Sequence, residues 1–276
     1  MCLVNGETQY HLPIQDRGLQ YGDGLFETMA VAGSKVRFLD EHFERMEWGC
    51  ARLGLVAPGR DVLRSEIASL SGDAANAVIK LIVTRGASKR GYRPDPMAEP
   101  TRILTLHPWP DYPQRCYEGI DARICETRSG INPALAGVKH LNRLEQVLAT
   151  REWSGEHVRE GIMRDVYGRV VGGTMSNIFV CCSGELVTPQ ITDCGVRGVM
   201  RGVVIELARR RGIVVSERGV ELEDMLQGDE IFFTNTLIGI WPAVRIDNEK
   251  FAVGPMTRAL MQDLASLGVA ECAGPA

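Results

Sequence analysis

The stretch GVKHLNRLEQVLATREW, residues 137–153, is the most informative segment of the sequence. It places a lysine where a short strand or loop runs into a helix. Three leucines recur at helical spacing and predict one apolar helix face: Leu141, Leu144 and Leu148. Lys139 does not lie on that apolar face. It is either a solvated lysine, the commoner role, or a nucleophilic amine, since a desolvated lysine beside a cation such as Arg143 loses its proton near neutral pH. Periodicity alone leaves both interpretations open.

The composition is that of an ordinary globular protein, with 276 residues, 45% of them hydrophobic and 24% charged. This length suits two domains or one large one. The net charge of −4 provides no basic surface for nucleic acid, which we exclude as a partner. No run approaches the roughly 18 apolar residues of a membrane span. Since the N-terminus also lacks a signal-like pattern, we expect a cytoplasmic protein that binds no membrane.

The cysteines and histidines predict no metal site and no disulfide framework. Eight cysteines are scattered without CxxC spacing, at positions 2, 50, 116, 125, 181, 182, 194 and 272. Such scatter favours reduced thiols. The five histidines are separated and form no HExxH pattern.

Apolar periodicity along the chain alternates between strand and helix patterns, which predicts an α/β (α+β) fold. We expect strands or hairpins at 2–10, 25–39, 77–84, 102–106, 120–127, 161–182, 213–216 and 230–234. We expect helices at 40–54, 61–70, 198–211, 222–226 and 255–267. Asn5-Gly6 suits the tight turn of the first hairpin. Asp40 and Gly54 suit the start and the end of the first long helix.

The proline-rich run Pro108-Trp109-Pro110-Asp111-Tyr112-Pro113 cannot continue a helix or a central strand. It predicts a linker over 108–118. The division is then a smaller N-terminal α/β domain over 1–107 and a larger C-terminal domain over 119–276, which carries the lysine.

Two further segments have the chemistry to bind anions. The loop after the strand at 77–84 carries four basic residues, Arg85, Lys89, Arg90 and Arg93. These side chains either form a solvated face or bind carboxylates through charge-assisted hydrogen bonds. Glycines at 195 and 198 lead into a helix, whose first N–H groups favour a phosphate, although glycines before helices are common.

Seven blocks of sequence, taken together and in order, resemble the fold-type IV pyridoxal-phosphate enzymes. They are DRGLQYGDGLFET (16–28), EHFER (41–45), VTRGASKRGY (83–92), GVKHLNRLEQVLATREW (137–153), MSNIF (175–179), GVRGVMR (195–201) and FFTNTLIGIWPAV (232–244). The resemblance implies the two-domain architecture of the D-amino acid aminotransferase-like enzymes, pyridoxal 5'-phosphate as cofactor and a homodimer.

The block KHLNRLEQV resembles the aminodeoxychorismate lyases of this family more than its aminotransferases. The resemblance therefore implies conversion of 4-amino-4-deoxychorismate, a small molecule, to 4-aminobenzoate and pyruvate in folate biosynthesis. Two alternatives remain at this point. One is an aminotransferase acting on D- or branched-chain amino acids, and the other is a paralogue with impaired cofactor chemistry.

The resemblance also implies roles in cofactor binding. Lys139 forms the Schiff base with the cofactor, and Arg45, in an HxxR pattern with His42, pairs with its phosphate. The remaining residues implied in cofactor binding are the backbone N–H groups of Val199 and Met200, the hydroxyl of Thr236, and Asn177.

The residues implied on the substrate side are fewer. Thr28 matches the position of a proton donor in the lyases, although a threonine within a strand is commonly there for its β-propensity. Arg90, Tyr92 and Tyr21 are similar to residues that contact the substrate.

One position departs from the family pattern. The family has a glutamate five residues before the asparagine of the Ser-Asn pair, where it contacts the pyridine nitrogen of the cofactor. Counting back from Asn177 gives Gly172. Either another group such as Asp165 or a water supplies that contact, or the ring withdraws electrons less strongly. A transaminase should suffer more from this loss than a lyase, because formation of an aromatic product helps the lyase reaction.

Overall fold

A computed structural model describes residues 1–155 and 157–273, which form two compact units. Unit 1 comprises Met1–Pro110 and Val138–Asn142, and unit 2 comprises the other described residues. Lys139 therefore belongs to unit 1, whereas the sequence interpretation had assigned it to the larger C-terminal domain. The domain boundaries at 107 and 119 stay predictions. Over the described ranges, the structure has no helix that is both long enough and apolar enough to cross a membrane.

Unit 1 is built on a six-stranded antiparallel sheet. Its strands are β1 (Cys2–Val4), β2 (Glu7–Thr8), β3 (Gly24–Ala32), β4 (Lys35–Val36), β5 (Asn76–Thr84) and β6 (Thr101–Pro108), in the order β2-β1-β6-β5-β3-β4. Its helices are α1 (Arg17–Tyr21), α2 (Leu39–Leu53) and α3 (Arg60–Ser71). Apolar side chains of β3 and β5 pack with those of α2 and α3, and Met29, Phe43, Leu63 and Ile79 are fully buried there.

In unit 1 the first hairpin turn and the end of α2 match the sequence interpretation, whereas the start of α2 and the helix α1 do not. Asn5 and Gly6 form the predicted hairpin turn with positive φ angles of 52° and 90°. Gly54 ends α2 in the left-handed conformation, as predicted. The prediction that Asp40 caps α2 is wrong, because the helix starts at Leu39 and Asp40 lies inside its first turn. A carboxylate there still interacts favourably with the helix dipole.

Unit 2 is built on a nine-stranded mixed sheet. Its strands are β7 (Ile120–Ser129), β8 (Val158–Asp165), β9 (Val170–Gly173), β10 (Asn177–Cys182), β11 (Glu185–Pro189), β12 (Val215–Arg218), β13 (Glu230–Asn235), β14 (Gly239–Ile246) and β15 (Glu249–Lys250), in the order β12-β11-β10-β13-β14-β7-β8-β9 with β15 against β14. Its helices are α4 (Leu144–Thr150), α5 (Val199–Arg210), α6 (Leu222–Leu226) and α7 (Pro255–Ser266), with 3-10 turns at Gln114–Tyr117 and Ala270–Ala273. The mixed helix and strand content confirms the predicted fold class.

The predicted apolar face of the lysine stretch is wrong. Helix α4 has only seven residues, and Leu144 and Leu148 are 76% and 52% exposed. Leu141 precedes the helix, in the segment that is hydrogen-bonded to β3. The leucine spacing is helical, but the chain before Leu144 pairs with a strand, so Leu141 lies outside the helix. Within α4, Ala149 is the buried residue.

The segment that precedes α4 explains the position of the lysine. The N–H of Phe26 donates to the carbonyl of Lys139 at 2.9 Å, and the N–H of Leu141 donates to the carbonyl of Gly24 at 3.0 Å. Residues 138–142 thus run antiparallel to β3. A Cβ at Gly24 would lie 2.9 Å from the Leu141 side chain and 2.4 Å from the Val83 carbonyl oxygen, so only glycine permits this approach.

Candidate active site

One face of the unit 1 sheet carries Lys139 together with Phe26, Thr28 and Lys80. Lys139 pairs with Phe26, and Thr28 lies directly opposite Lys80 on β5. Residues opposite one another in an antiparallel pair project to the same face. The Nζ atom of Lys139 lies 4.3 Å from the centroid of the Phe26 ring, and the Nζ atom of Lys80 lies 5.3 Å from it. The amines of two lysines therefore lie near one aromatic ring, on the sheet face that also carries Thr28.

Lys80 was missed by the sequence interpretation. It lies in the run NAVIKLIVT, where apolar residues dominate and a single lysine attracts little notice. The available signal was a charge in the middle of an otherwise buried strand, since such charges are rare without a function or a partner. Arg143, the expected cationic neighbour of Lys139, belongs to unit 2. Within unit 1, Lys80 is a cation that shares the Phe26 ring with Lys139.

The opposite face of β3 holds a buried cluster of Glu27, His42 and Arg45. Glu27 is 1% exposed, and its carboxylate accepts hydrogen bonds from Arg45 Nε at 2.8 Å and from Arg45 Nη2. His42 Nδ1 lies 2.6 Å from the second Glu27 oxygen. The HxxR pattern thus has a structural basis, because the histidine and the arginine of α2 both bind one carboxylate of β3.

The charges of this cluster follow from burial and hydrogen bonding. Burial raises the pKa of Glu27, but the Arg45 charge and the hydrogen bonds from His42 and Arg45 outweigh it and hold that pKa at about 2. Burial lowers the pKa of His42. Because the Glu27 carboxylate can only accept, the neutral imidazole donates from Nδ1 and leaves Nε2 as an acceptor. That Nε2 atom is buried and has no hydrogen-bond partner within the described residues.

In the basic loop after β5, Arg85 is bound within unit 1, whereas Lys89, Arg90 and Arg93 are exposed. Arg85 does not serve as a carboxylate ligand for the substrate, because it donates to both oxygens of Asp23 and to the carbonyls of Leu53 and Gly54. Arg90 is exposed. Arg90 can therefore still make the predicted contact with the substrate, whereas Arg85 is already engaged within unit 1.

The two predicted substrate-side tyrosines lie together in unit 1. The rings of Tyr21 and Tyr92 are 5.6 Å apart between centroids. Tyr92 is 87% exposed, whereas the hydroxyl of Tyr21 accepts a hydrogen bond from the N–H of Gly91 at 3.1 Å. The structure thus brings Tyr21, Tyr92 and the residues around Arg90 into one surface region.

In unit 2, four predicted cofactor-binding residues lie on the elements around the start of α5 and the end of β13. Asn177 begins β10, and its Nδ2 donates to the carbonyl of Val196 at 3.0 Å. A Cβ at Gly198 would lie 2.0 Å from the Asn177 amide oxygen, so Gly198 is required where α5 begins. Val199 and Met200 form the first turn of α5, whose N–H groups have no partner inside the helix.

Thr236 follows β13 in a tight turn. Its side chain is buried, with 7% exposure. The amide oxygen of Asn235 accepts hydrogen bonds from the N–H groups of Leu237 and Ile238 and so closes this turn around Thr236. The threonine is held in one backbone conformation, as a binding residue requires.

The carboxylates near Gly172 are already bound within unit 2. Asp165 accepts hydrogen bonds from Arg169 Nε and from the N–H groups of Tyr167 and Arg169, so it holds the turn between β8 and β9. This geometry opposes the suggestion that Asp165 replaces the family glutamate.

Glu160 is a second buried carboxylate that the sequence interpretation missed. It is completely buried, and it accepts hydrogen bonds from Thr174 Oγ1 and Ser176 Oγ, both at 2.6 Å, and from the N–H groups of Gly161 and Thr174. Burial raises its pKa despite these bonds. No sequence spacing pointed to it, because its side-chain partners Thr174 and Ser176 lie on the turn after β9.

Residues 24–246 match the family model described as amino-transferase class IV, and the chain belongs to that family. This match confirms the resemblance inferred from the sequence blocks. Enzymes of the family depend on pyridoxal phosphate, which is therefore the cofactor of this chain. Each unit, taken by itself, has groups whose chemistry fits this cofactor. Unit 1 has the Lys139 amine and the Arg45 guanidinium. Unit 2 has a helix start at which a Cβ on Gly198 would collide with Asn177.

The relatives include a lyase and a putative aminotransferase. The chain is 35% identical to the aminodeoxychorismate lyase of Vibrio harveyi, over 96% of this chain and 99% of the relative. It is 34% identical to a putative branched-chain-amino-acid aminotransferase of Methanocaldococcus jannaschii, over 93% and 91% of the two chains. The crystal structure of 4-amino-4-deoxychorismate lyase from Pseudomonas aeruginosa is 43% identical, has a TM-score of 0.93 and covers 96% of this chain and 98% of that one.

Proposed function

We propose that this chain is a pyridoxal-phosphate-dependent aminodeoxychorismate lyase, which converts 4-amino-4-deoxychorismate to 4-aminobenzoate and pyruvate for folate biosynthesis. The observation that carries the proposal is the 43% identity, over nearly the whole of both chains, to a structurally characterised enzyme of that name. The lysine, threonine and second lysine on one sheet face supply the side chains that the reaction needs.

Pyridoxal phosphate, held at Lys139, would supply an aldehyde carbon for the substrate amine and a ring that withdraws electrons from the neighbouring carbon. The freed amine of Lys139 takes the proton from the substrate ring carbon that bears the amino group. The bond between the ring and the enolpyruvyl oxygen then breaks, and the substrate ring becomes aromatic. Thr28 or Lys139 returns a proton to the methylene carbon of the departing enolpyruvate, which gives pyruvate. Atoms and electrons balance without an oxidant or a reductant.

The remaining residues of unit 1 have binding roles in this proposal. Arg45, oriented by Glu27, binds the cofactor phosphate through charge-assisted hydrogen bonds. The substrate carries two carboxylates, and Lys80 and Arg90 are cations of suitable charge for them.

Unit 2 contributes further cofactor ligands in the same proposal. The N–H groups of Val199 and Met200 and the hydroxyl of Thr236 bind the phosphate. Asn177 holds the start of α5 in place through its bond to Val196.

The test is turnover of purified protein with aminodeoxychorismate, measured as release of both 4-aminobenzoate and pyruvate. We expect Lys139→Ala to lose at least about a thousandfold in kcat, since the residue both bonds to the cofactor and takes the proton from the substrate. Lys35→Ala, an exposed lysine of β4, is the matched control and should retain wild-type turnover. Equal turnover after Lys139→Ala would end the proposal.

The second candidate function is amino transfer, favoured by the 34% identity to the putative aminotransferase. Alanine and 2-oxoglutarate offered to the same preparation discriminate between the two. A transfer rate that rivals lyase turnover would favour the aminotransferase. A protein that stays colourless when pyridoxal phosphate is added would instead indicate the paralogue without cofactor chemistry.

We further propose a homodimer. The exposed face of α4 is apolar, because Leu144, Val147 and Leu148 are 76%, 53% and 52% exposed. Apolar residues grouped on one helix face commonly mark a protein interface. Light scattering after size exclusion should give twice the chain mass. Leu148→Glu should reduce that mass, whereas Val62→Glu, at a 47% exposed site on α3, should not.

We also place the chain in the cytoplasm. All eight cysteines are free thiols, as predicted, and five of them are buried. A set of reduced thiols is typical of a reducing compartment. Fractionation of cells that express the untagged chain tests this placement, and recovery in a secreted fraction would contradict it.

A further inference from the structure

Arg17 of α1 is buried and bound on all sides within unit 1. Its side chain is 4% exposed, and Nε donates to Asp23 at 2.7 Å. Its other two nitrogens donate to the carbonyls of Gly91 at 2.7 Å and Tyr92 at 2.9 Å. The guanidinium also lies over the Tyr21 ring, 4.7 Å from its centroid. An arginine with this many bonds to a loop 75 residues away fixes the loop's backbone.

The bonds of Arg17 fall on the residues that directly follow Arg90. Gly91 has both its backbone groups bound, since its N–H donates to the hydroxyl of Tyr21 and its carbonyl accepts from Arg17. It also has a φ of 122°, in the region that favours glycine. Arg17 and Tyr21 therefore hold the backbone of the segment Arg90-Gly91-Tyr92 in one conformation, which the loop sequence alone does not specify.

The side chain of Arg90 differs from that of Arg17. It is exposed, and it makes no hydrogen bond or ion pair with any residue in the described part of the chain. A flexible arginine loses rotational freedom when it binds a ligand, and fixing its backbone beforehand reduces that loss. A fixed backbone with an unengaged guanidinium is the arrangement expected of a ligand-binding arginine.

We propose that Arg17 is a positioning residue for Arg90: by binding the carbonyls of Gly91 and Tyr92, it directs the Arg90 guanidinium toward a substrate carboxylate. This inference rests on the proposed lyase function for the identity of the carboxylate. Arg17 itself does not touch the substrate. Its loss changes the recognition of a carboxylate substrate and leaves the chemistry at Lys139 intact.

Arg85 provides a matched control for Arg17. Both arginines donate to Asp23, but the other bonds of Arg85 go to the carbonyls of Leu53 and Gly54 at the end of α2. Arg17→Lys and Arg85→Lys each weaken the pairing with Asp23. Arg17→Lys alone removes the forked contact to the loop, because one ammonium cannot replace three guanidinium nitrogens.

The experiment measures KM and kcat for aminodeoxychorismate in a double-mutant cycle of Arg17→Lys and Arg90→Ala. We expect Arg17→Lys to raise KM about tenfold with kcat within about twofold, because loop ordering then has to accompany binding. The double variant should be no worse than Arg90→Ala alone, since Arg17 acts through Arg90. Arg85→Lys should leave KM within about twofold of the wild type.

Hydrogen exchange of the amides at 89–93 gives a second readout that needs no substrate. We expect faster exchange there in Arg17→Lys than in the wild type or Arg85→Lys. Wild-type KM in Arg17→Lys, additive losses in the double variant, or an equal KM effect in Arg85→Lys would each overturn the proposal. If the wild type lacks lyase turnover, the lyase function fails, and unchanged exchange at 89–93 would separately overturn the positioning role.

Discussion

Replacing Glu27 by glutamine removes the charge from the buried cluster with His42 and Arg45 and keeps the size of the side chain. The pKa of Glu27 is about 2 in the folded chain and 4.5 when unperturbed. A shift of about 2.5 units corresponds to about 3 kcal/mol of folding free energy at neutral pH. Because the carboxylate is 1% exposed, solvent screening does not reduce this figure much.

The surface pair of Glu47 and Arg60 is the matched control. It has the same forked geometry, with Arg60 Nε and Nη2 donating to the two Glu47 oxygens at 2.7 and 2.6 Å. Both side chains are 36% exposed, however. We therefore expect Glu47→Gln to cost less than about 1 kcal/mol.

The assay is urea unfolding of the cofactor-free protein, followed by circular dichroism, at several pH values. The Glu27 pKa is depressed by folding, so its contribution is complete above about pH 4.5 and disappears as the pH falls through about 2. The difference between wild type and Glu27→Gln should follow that course. Equal costs for Glu27→Gln and Glu47→Gln at neutral pH would refute the reasoning.

Further predictions concern glycines of β9 and α5 and the cysteines. Gly173→Ala should destabilise unit 2 by about 1 to 3 kcal/mol, because its Cβ would lie 2.2 Å from Ser176 Oγ and 2.7 Å from Glu160. Gly202→Ala, with open space around its Cβ in α5, should instead stabilise by up to about 1 kcal/mol, and thermal unfolding of the two variants checks both signs. Gly172→Glu should slow release of pyridoxal phosphate measured by dialysis, and unchanged retention with unchanged activity would count against our assignment of that position. A thiol reagent should label exposed Cys182 well before Cys50 and Cys125, whose pKa values burial raises to about 12, and mass spectrometry of the labelled peptides would show any other order.

Local patterns in the sequence identified most elements of the fold. The turn at Asn5-Gly6, the end of α2 at Gly54 and the helix α6 are each specified by a few neighbouring residues, and each lies where it was expected. Strand β14 was not predicted, because its central pair Trp241-Pro242 opposes a strand assignment when no partner is known.

Contacts between distant segments explain what the sequence could not show. The leucines of α4 have the spacing of a buried face, but the pairing of 138–142 with β3 determines which residues are helical. Lys80 comes near Lys139 through strand register, and Glu160 finds its partners on the turn after β9. Neither relationship has a fixed spacing along the chain.

The most direct test of the account asks which amine bonds to the cofactor. Purified protein is loaded with pyridoxal phosphate and reduced with borohydride, and the modified lysine is then located by peptide mass spectrometry. If Lys139 bonds to the cofactor, we expect a visible absorption band that disappears on reduction and a single modified site at Lys139. Modification at Lys80 instead, or no modified lysine at all, would contradict it.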